Sequence, residues 1–133
     1  RAAAPTAARG AYISGVMTGS ALRTRPPAAV AASSVDVSVL VPAKDEAENL
    51  PLFMEQAETA FRTDPTTRYE VVVVDDGSED DTWGVLQRLR QRYAFLRVAR
   101  HRTRRGIADG LRTGYLHARG DVMVFYPADL QFK

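Results

Sequence analysis

The sequence predicts an α/β fold built on a mostly parallel sheet flanked by helices, and three observations carry that prediction. Short apolar runs recur at 37–41, 70–74, 95–99 and 122–126. Val71-Val72-Val73-Val74 does not alternate with polar residues, as expected of a strand buried on both faces. Between the runs, apolar residues fall at spacings of three and four, the signature of helices with one buried stripe. Strands alternating with helices of this length imply βαβ units.

Taken in order, Val37-Ser38-Val39-Leu40-Val41 is a β-branched strand that Pro42 is expected to end, since proline cannot donate to a ladder. Asp45 is placed to cap the next helix, whose stripe is Leu50, Phe53, Met54, Ala57 and Phe61. Glu70-Val71-Val72-Val73-Val74 is the second strand. A helix follows Asp80-Asp81-Thr82, with Val85, Leu86, Leu89 and Tyr93 inward. Phe95-Leu96-Arg97-Val98-Ala99 is the third strand. Ile107, Leu111, Tyr115 and Ala118 are expected to face inward on a third helix, and Val122-Met123-Val124-Phe125-Tyr126 is the fourth strand. Trp83, Tyr115 and Phe125 read as core residues.

Residues 1–35 differ. They are rich in Ala, Pro, Ser, Thr and Arg, show no sustained period, and carry Arg1, Arg9, Arg23 and Arg25 without an acid. Such a composition buries too little apolar surface to offset its ordering entropy, so this stretch reads as a flexible or artificially appended arm. Residues 36–133 read as one domain. The formal net charge of +2 makes the chain no polycation, and nucleic acid is not among the expected partners. With no cysteine, neither a disulfide framework nor a thiol nucleophile is available. No apolar run approaches the ~20 residues that a membrane-spanning helix needs.

In parallel sheets, ligands bind beyond the carboxyl ends of the strands. Three of these ends carry carboxylates: Pro42-Ala43-Lys44-Asp45-Glu46, Asp75-Asp76-Gly77-Ser78-Glu79-Asp80-Asp81 and Pro127-Ala128-Asp129-Leu130-Gln131. Glycine-rich phosphate-binding patterns are missing. A crevice of carboxylates repels a bare diphosphate but accepts one through Mg²⁺ or Mn²⁺, and a carboxylate can also accept N–H groups of a uracil or guanine. Plainer readings stand beside this one. Asp75-Asp76-Gly77-Ser78 also suits a strand-to-helix turn, and Arg100-His101-Arg102-Thr103-Arg104-Arg105 also suits a solvated loop. His101 and His117 show no metal-ligand spacing and are read as non-catalytic.

Together these segments resemble the inverting, GT-A-fold (Rossmann-like) glycosyltransferases of family two, most of all the dolichyl- and polyprenyl-phosphate mannosyl- and glucosyltransferases. Val37 to Leu50 resembles the opening strand and its Pro-x-x-Asn-Glu segment, with Asp45 in place of Asn. Glu70 to Thr82 is similar to the second motif, Gly106 to Gly114 to the third helix, and Ala118-Arg119-Gly120-Asp121 to the approach to the metal strand. Ala128-Asp129-Leu130-Gln131 matches the end of Asp-Ala-Asp-Leu-Gln.

By this resemblance, Pro42, Ala43 and Glu46 line the nucleotide pocket, Asp76 binds the base, and Asp129 with Gln131 holds Mg²⁺ or Mn²⁺. From charge and neighbourhood, and not from a matching motif position, Arg104 or Arg105, of which we single out Arg105, is expected to approach the diphosphate of the UDP- or GDP-sugar that the resemblance implies. The acceptor implied is a lipid phosphate at the cytoplasmic face of a membrane, with the acceptor half and the catalytic base beyond Lys133. Membrane attachment is expected through segments outside this sequence. Pro127 replaces the first metal-motif Asp and removes one ligand. This departure keeps open an inactive, glycosyltransferase-like binding module; another nucleotide-dependent α/β enzyme is a separate alternative, against which the missing glycine-rich fingerprint argues. An uncovered edge strand and apolar face predict dimerisation, swapping or a covering partner.

Overall fold

The computed structural model describes residues 34–129. Four strands, β1 (Val37–Ala43), β2 (Tyr69–Asp76), β3 (Leu96–His101) and β4 (Val122–Phe125), alternate with three helices, α1 (Leu50–Arg62), α2 (Thr82–Arg92) and α3 (Ile107–His117). All pairings are parallel, in the order β3-β2-β1-β4. The arm expected over 1–35 lies, up to residue 33, outside the described residues. Val35, assigned to that arm from sequence, is buried.

The order explains which face each helix covers. The chain steps from β1 to β2 to β3 in one direction, so right-handed crossovers place α1 and α2 on one face. It then returns past β1 to β4, which places α3 on the other. Beneath α1 and α2 lies the larger core, with Val41, Leu50, Phe53, Met54, Val71, Val73, Leu86 and Leu96 all buried. Beneath α3 lies a smaller one, where Leu40, Val72 and Ala118 pack with Leu111, Tyr115 and Met123. β2 is central, and Val71 to Val74 are buried on both faces, as their unbroken run predicts.

Several expectations are corrected. Pro42 does not end β1 but pairs with Val74 inside it. β4 pairs only with residues 37–40, so at Pro42 one side of β1 has no strand that would need its missing N–H. Asp45 does not cap α1: the residue before the helix is Asn49, with Pro51 in the first turn. Ile107 is 66% exposed rather than inward, because α3 meets the sheet through Gly110 and Gly114. A Cβ on Gly110 would lie 3.1 Å from Pro42, so the missing side chain lets the helix lie close. Phe125 is 49% exposed, not core. It ends β4, an edge strand whose Val122 and Val124 are also exposed. No described helix is long and apolar enough to cross a membrane.

Candidate functional site

The direction change between β1 and β4 is a topological switch point, where a crevice forms beyond the strand ends. A cleft of about 230 Å³ lies there. Pro42, Ala43, Lys44 and Glu46 line it from β1, Asp76 from β2, Arg104, Gly106 and Ile107 from the approach to α3, and Phe125, Pro127, Ala128 and Asp129 from β4. Of the residues singled out from sequence, Pro42, Ala43, Glu46, Asp76 and Asp129 therefore share one cavity. Gln131 lies outside the described residues. Arg105 is not among the lining residues; its neighbour Arg104 is.

The loop after β1 is stitched to the loop after β2. Asp45 adopts a left-handed backbone (φ 55°), which short polar side chains tolerate best after glycine. There its Oδ1 accepts the Glu79 N–H at 2.7 Å and the Asp80 N–H at 3.2 Å, while its own N–H donates to Ser78 Oγ at 2.9 Å. The Glu79 bond is the largest cause holding the Asp45 carboxyl below its usual range. Lys44 Nζ donates to Gly77 O at 3.1 Å, and the Glu46 N–H donates to Thr82 Oγ1 at 2.9 Å. This lattice presents Lys44 and Glu46 to the cleft.

Asp75 and Asp76 point to different tasks. Asp75 is fully buried; its Oδ1 accepts the Ser78 N–H at 3.0 Å, closing the turn. Arg100 Nε lies 3.2 Å from Asp75 Oδ2, at ion-pair distance without hydrogen-bond alignment, and the same guanidinium lies over the Trp83 ring. Asp76 Oδ1 accepts from His101 Nδ1 and from the Arg105 N–H, each at 2.8 Å, and its Oδ2 accepts the Gly106 N–H at 2.8 Å. Burial pushes the Asp76 carboxyl upward, but the bonds from His101, Arg105 and Gly106 outweigh it, so the group stays ionised below the ordinary range. A carboxylate bridging the first N–H groups before α3 also complements the positive end of that helix.

Sequence reasoning missed His101. It is 5% exposed, and its Nε2 lies 2.7 Å from Thr113 Oγ1 on α3. Because ionised Asp76 can only accept, Nδ1 carries the proton, and in the neutral ring Nε2 accepts from Thr113. The signal was register: β3 runs on to His101, setting Arg100 opposite Asp75 and His101 opposite Asp76. Gly77 explains how close the arginine loop comes. At φ 68° a Cβ there would lie 2.5 Å from the Arg104 nitrogen.

For a divalent metal, the described residues supply a small hard-oxygen set. Asp129 is the carboxylate at the β4 end, Pro127 offers no side-chain ligand, and no group of three candidate metal-binding side chains occurs among the described residues. Such a set fits an ion bound through one carboxylate and substrate phosphates, as Mg²⁺ often is, and not a protein cage.

Comparison with known proteins bears on the family and the fold. Residues 38–133 match the glycosyl transferase family 2 domain. The chain belongs to that family. It is 38% identical over 95 residues to a dolichol-phosphate mannosyltransferase of Pyrococcus furiosus, covering 71% of this chain and 26% of that protein. A solved mannosyltransferase of Pyrobaculum calidifontis, in complex with GDP-Man and Mn²⁺, superposes with a TM-score of 0.58 at 29% identity, covering 92% of this chain and 39% of the other. TarS of S. aureus in complex with UDP-GlcNAc superposes with a TM-score of 0.57 at 29% identity, covering 71% and 27%. This family 2 chain thus spans between about a quarter and two-fifths of the length of these relatives. Its sheet is of the GT-A type expected from sequence.

Proposed function

We propose that this chain forms the donor-binding part of a sugar transferase: it holds a UDP- or GDP-sugar whose sugar passes, with inversion, to an acceptor such as a polyprenyl or dolichyl phosphate presented at the cytoplasmic face of a membrane. The observation that carries this reading is the shared cleft, which collects Glu46, Asp76 and Asp129 from three strand ends beside Arg104. Pro42 and Ala43 bound the nucleotide, Asp76 accepts an N–H of the base, and Arg104, which lines the cleft where Arg105 does not, faces the diphosphate. Asp129, with Gln131, is the place for Mg²⁺ or Mn²⁺, which when bound stabilises charge on the departing diphosphate.

In the reaction, an acceptor oxygen forms a bond to the anomeric carbon as the bond from that carbon to the diphosphate oxygen breaks. The electron pair leaves on the diphosphate. The chain's own contribution is orientation: the Asp45 lattice fixes one wall, and the Asp76 network fixes the base end. Isothermal titration of this chain with UDP and GDP in Mg²⁺ tests the reading. We expect binding of at least one in the micromolar to millimolar range typical of substrates; the absence of both ends the proposal.

Pro127 favours a second reading, an inactive donor-binding module, since this cleft residue brings no ligand. P127D should tighten Mn²⁺ binding by about tenfold if a second carboxylate completes the ion's shell. Turnover of donor by the natural sequence would exclude the inactive module.

A further inference from the structure

We infer that His101 sets Asp76 to read a single N–H, so that the cleft selects a uracil over a guanine nucleotide; this rests on the donor reading above. The fold alone does not decide the base, since one superposable structure holds GDP-Man and another UDP-GlcNAc. The acceptor inventory of Asp76 decides it. A carboxylate offers about four acceptor positions, two on each oxygen. His101 Nδ1 and the Arg105 N–H occupy both positions on Oδ1, and the Gly106 N–H occupies one on Oδ2. One position remains.

Guanine presents two adjacent donors, N1–H and the 2-amino group, and a carboxylate meets that pair with a vacant position on each oxygen. Asp76 has no such pair to give. Uracil presents one imide N–H between two carbonyl oxygens. The remaining position satisfies the N–H, and Arg104, which lines the same cleft, supplies a cationic donor for a carbonyl. A guanine held by one bond would leave its amino group facing donors, and an unpaired buried polar group is the strongest basis for rejecting a near-match ligand.

His101 makes the restriction permanent. It is buried, its proton is placed on Nδ1 by the acceptor-only Asp76 carboxylate while the Thr113 hydroxyl meets Nε2, and it lies opposite Asp76 in the β2–β3 register. Histidine here is a positioning and specificity residue that touches no ligand. Without it Oδ1 regains a vacancy, and a two-donor edge can be met.

The test is isothermal titration of UDP and GDP against the natural chain, H101N and H101F, all in Mg²⁺. Asparagine places an amide N–H near the position of Nδ1, whereas phenylalanine keeps the bulk without a donor. The natural chain should prefer UDP by about tenfold or more, the discrimination expected of one mismatched hydrogen-bond edge. H101N should keep that preference, and H101F should reduce it to less than about threefold. A natural chain that prefers GDP, or takes both equally, overturns the inference. So does an H101F protein that discriminates as well as the natural one. Should H101F not fold, the natural ratio and the H101N ratio decide. Failure of the natural chain to bind either nucleotide is a distinct result that removes the donor reading and this inference together.

Discussion

The two ends of β2 carry buried carboxylates with similar surroundings and different uses. At the amino end, Glu70 accepts from Ser38 Oγ and the Arg119 N–H, each at 2.6 Å, and from Arg119 Nε at 3.0 Å. At the carboxyl end, Asp76 accepts from an imidazole and two backbone N–H groups. Both are held below the ordinary carboxylate range against the upward push of burial. Asp76 borders the cleft between the strand ends, and Glu70 does not line it. A satisfied buried carboxylate is therefore no mark of a functional site by itself; the opening beside it and the residues that share it are. Glu70 has a different task. By clamping Arg119 while Ser38 Oγ takes the Gly120 N–H at 2.8 Å, it locks the approach to β4, and so helps place Pro127 and Asp129 at the far rim.

The comparison can be broken most directly by truncating each carboxylate. Glu70→Ala should cost about 4 kcal/mol in denaturant unfolding, since it leaves the buried Ser38 hydroxyl and the Arg119 N–H without their acceptor, at about 1–3 kcal/mol each. Asp76→Ala should cost about half as much stability, near 2 kcal/mol, yet weaken nucleotide binding by about a hundredfold. Equal effects of both on binding in the folded proteins would erase the distinction.

A pair of glycines sharpens it. Gly77 at the cleft end and Gly120 at the other both leave no room for a Cβ, which would meet Arg104 N at 2.5 Å and Ser38 N at 2.7 Å respectively. Gly77→Ala adds positive-φ strain to the clash and should cost about 3 kcal/mol, against about 2 kcal/mol for Gly120→Ala, by thermal unfolding. Gly77→Ala should also shift the Thr103–Arg104 backbone amides.

The smallest effect is acid sensitivity. Glu70 and Asp76 have folded pKa values below their ordinary 4.5 and 3.8, so the unfolded chain binds their protons more readily. Their stabilising contribution is complete above that range and is lost as pH falls below it. Unfolding free energy should decline below about pH 4.5 and show no loss from these groups toward neutrality. Glu70→Ala should flatten part of the decline.

The frame was legible in the sequence because burial wrote it there. The unbroken Val71–Val74 run marked the central strand, and carboxylates after β1, β2 and β4 marked the rim. What escaped notice depended on register and on close approach. His101 looked like part of a basic loop because β3 was expected to end at Ala99, two residues before the strand sets it against Asp76. Ile107 obeyed helical spacing but faces the rim, since Gly110 and Gly114 bring α3 onto the sheet instead. Phe125 read as core by its type, and sits on an edge strand where type does not decide burial. Asp45 had cap chemistry, which it spends on the neighbouring loop rather than on its own helix.

Mapping of ¹H–¹⁵N chemical shifts as UDP and Mg²⁺ are added to this chain tests the shared cleft most directly. Amides of Ala43, Arg105, Gly106, Ala128 and Asp129 should move together along one binding curve, while those of Ser38, Glu70 and Gly120 stay in place. Shifts confined to the Glu70 end, or β2 and β4 rims responding at separate affinities, would contradict a single donor site.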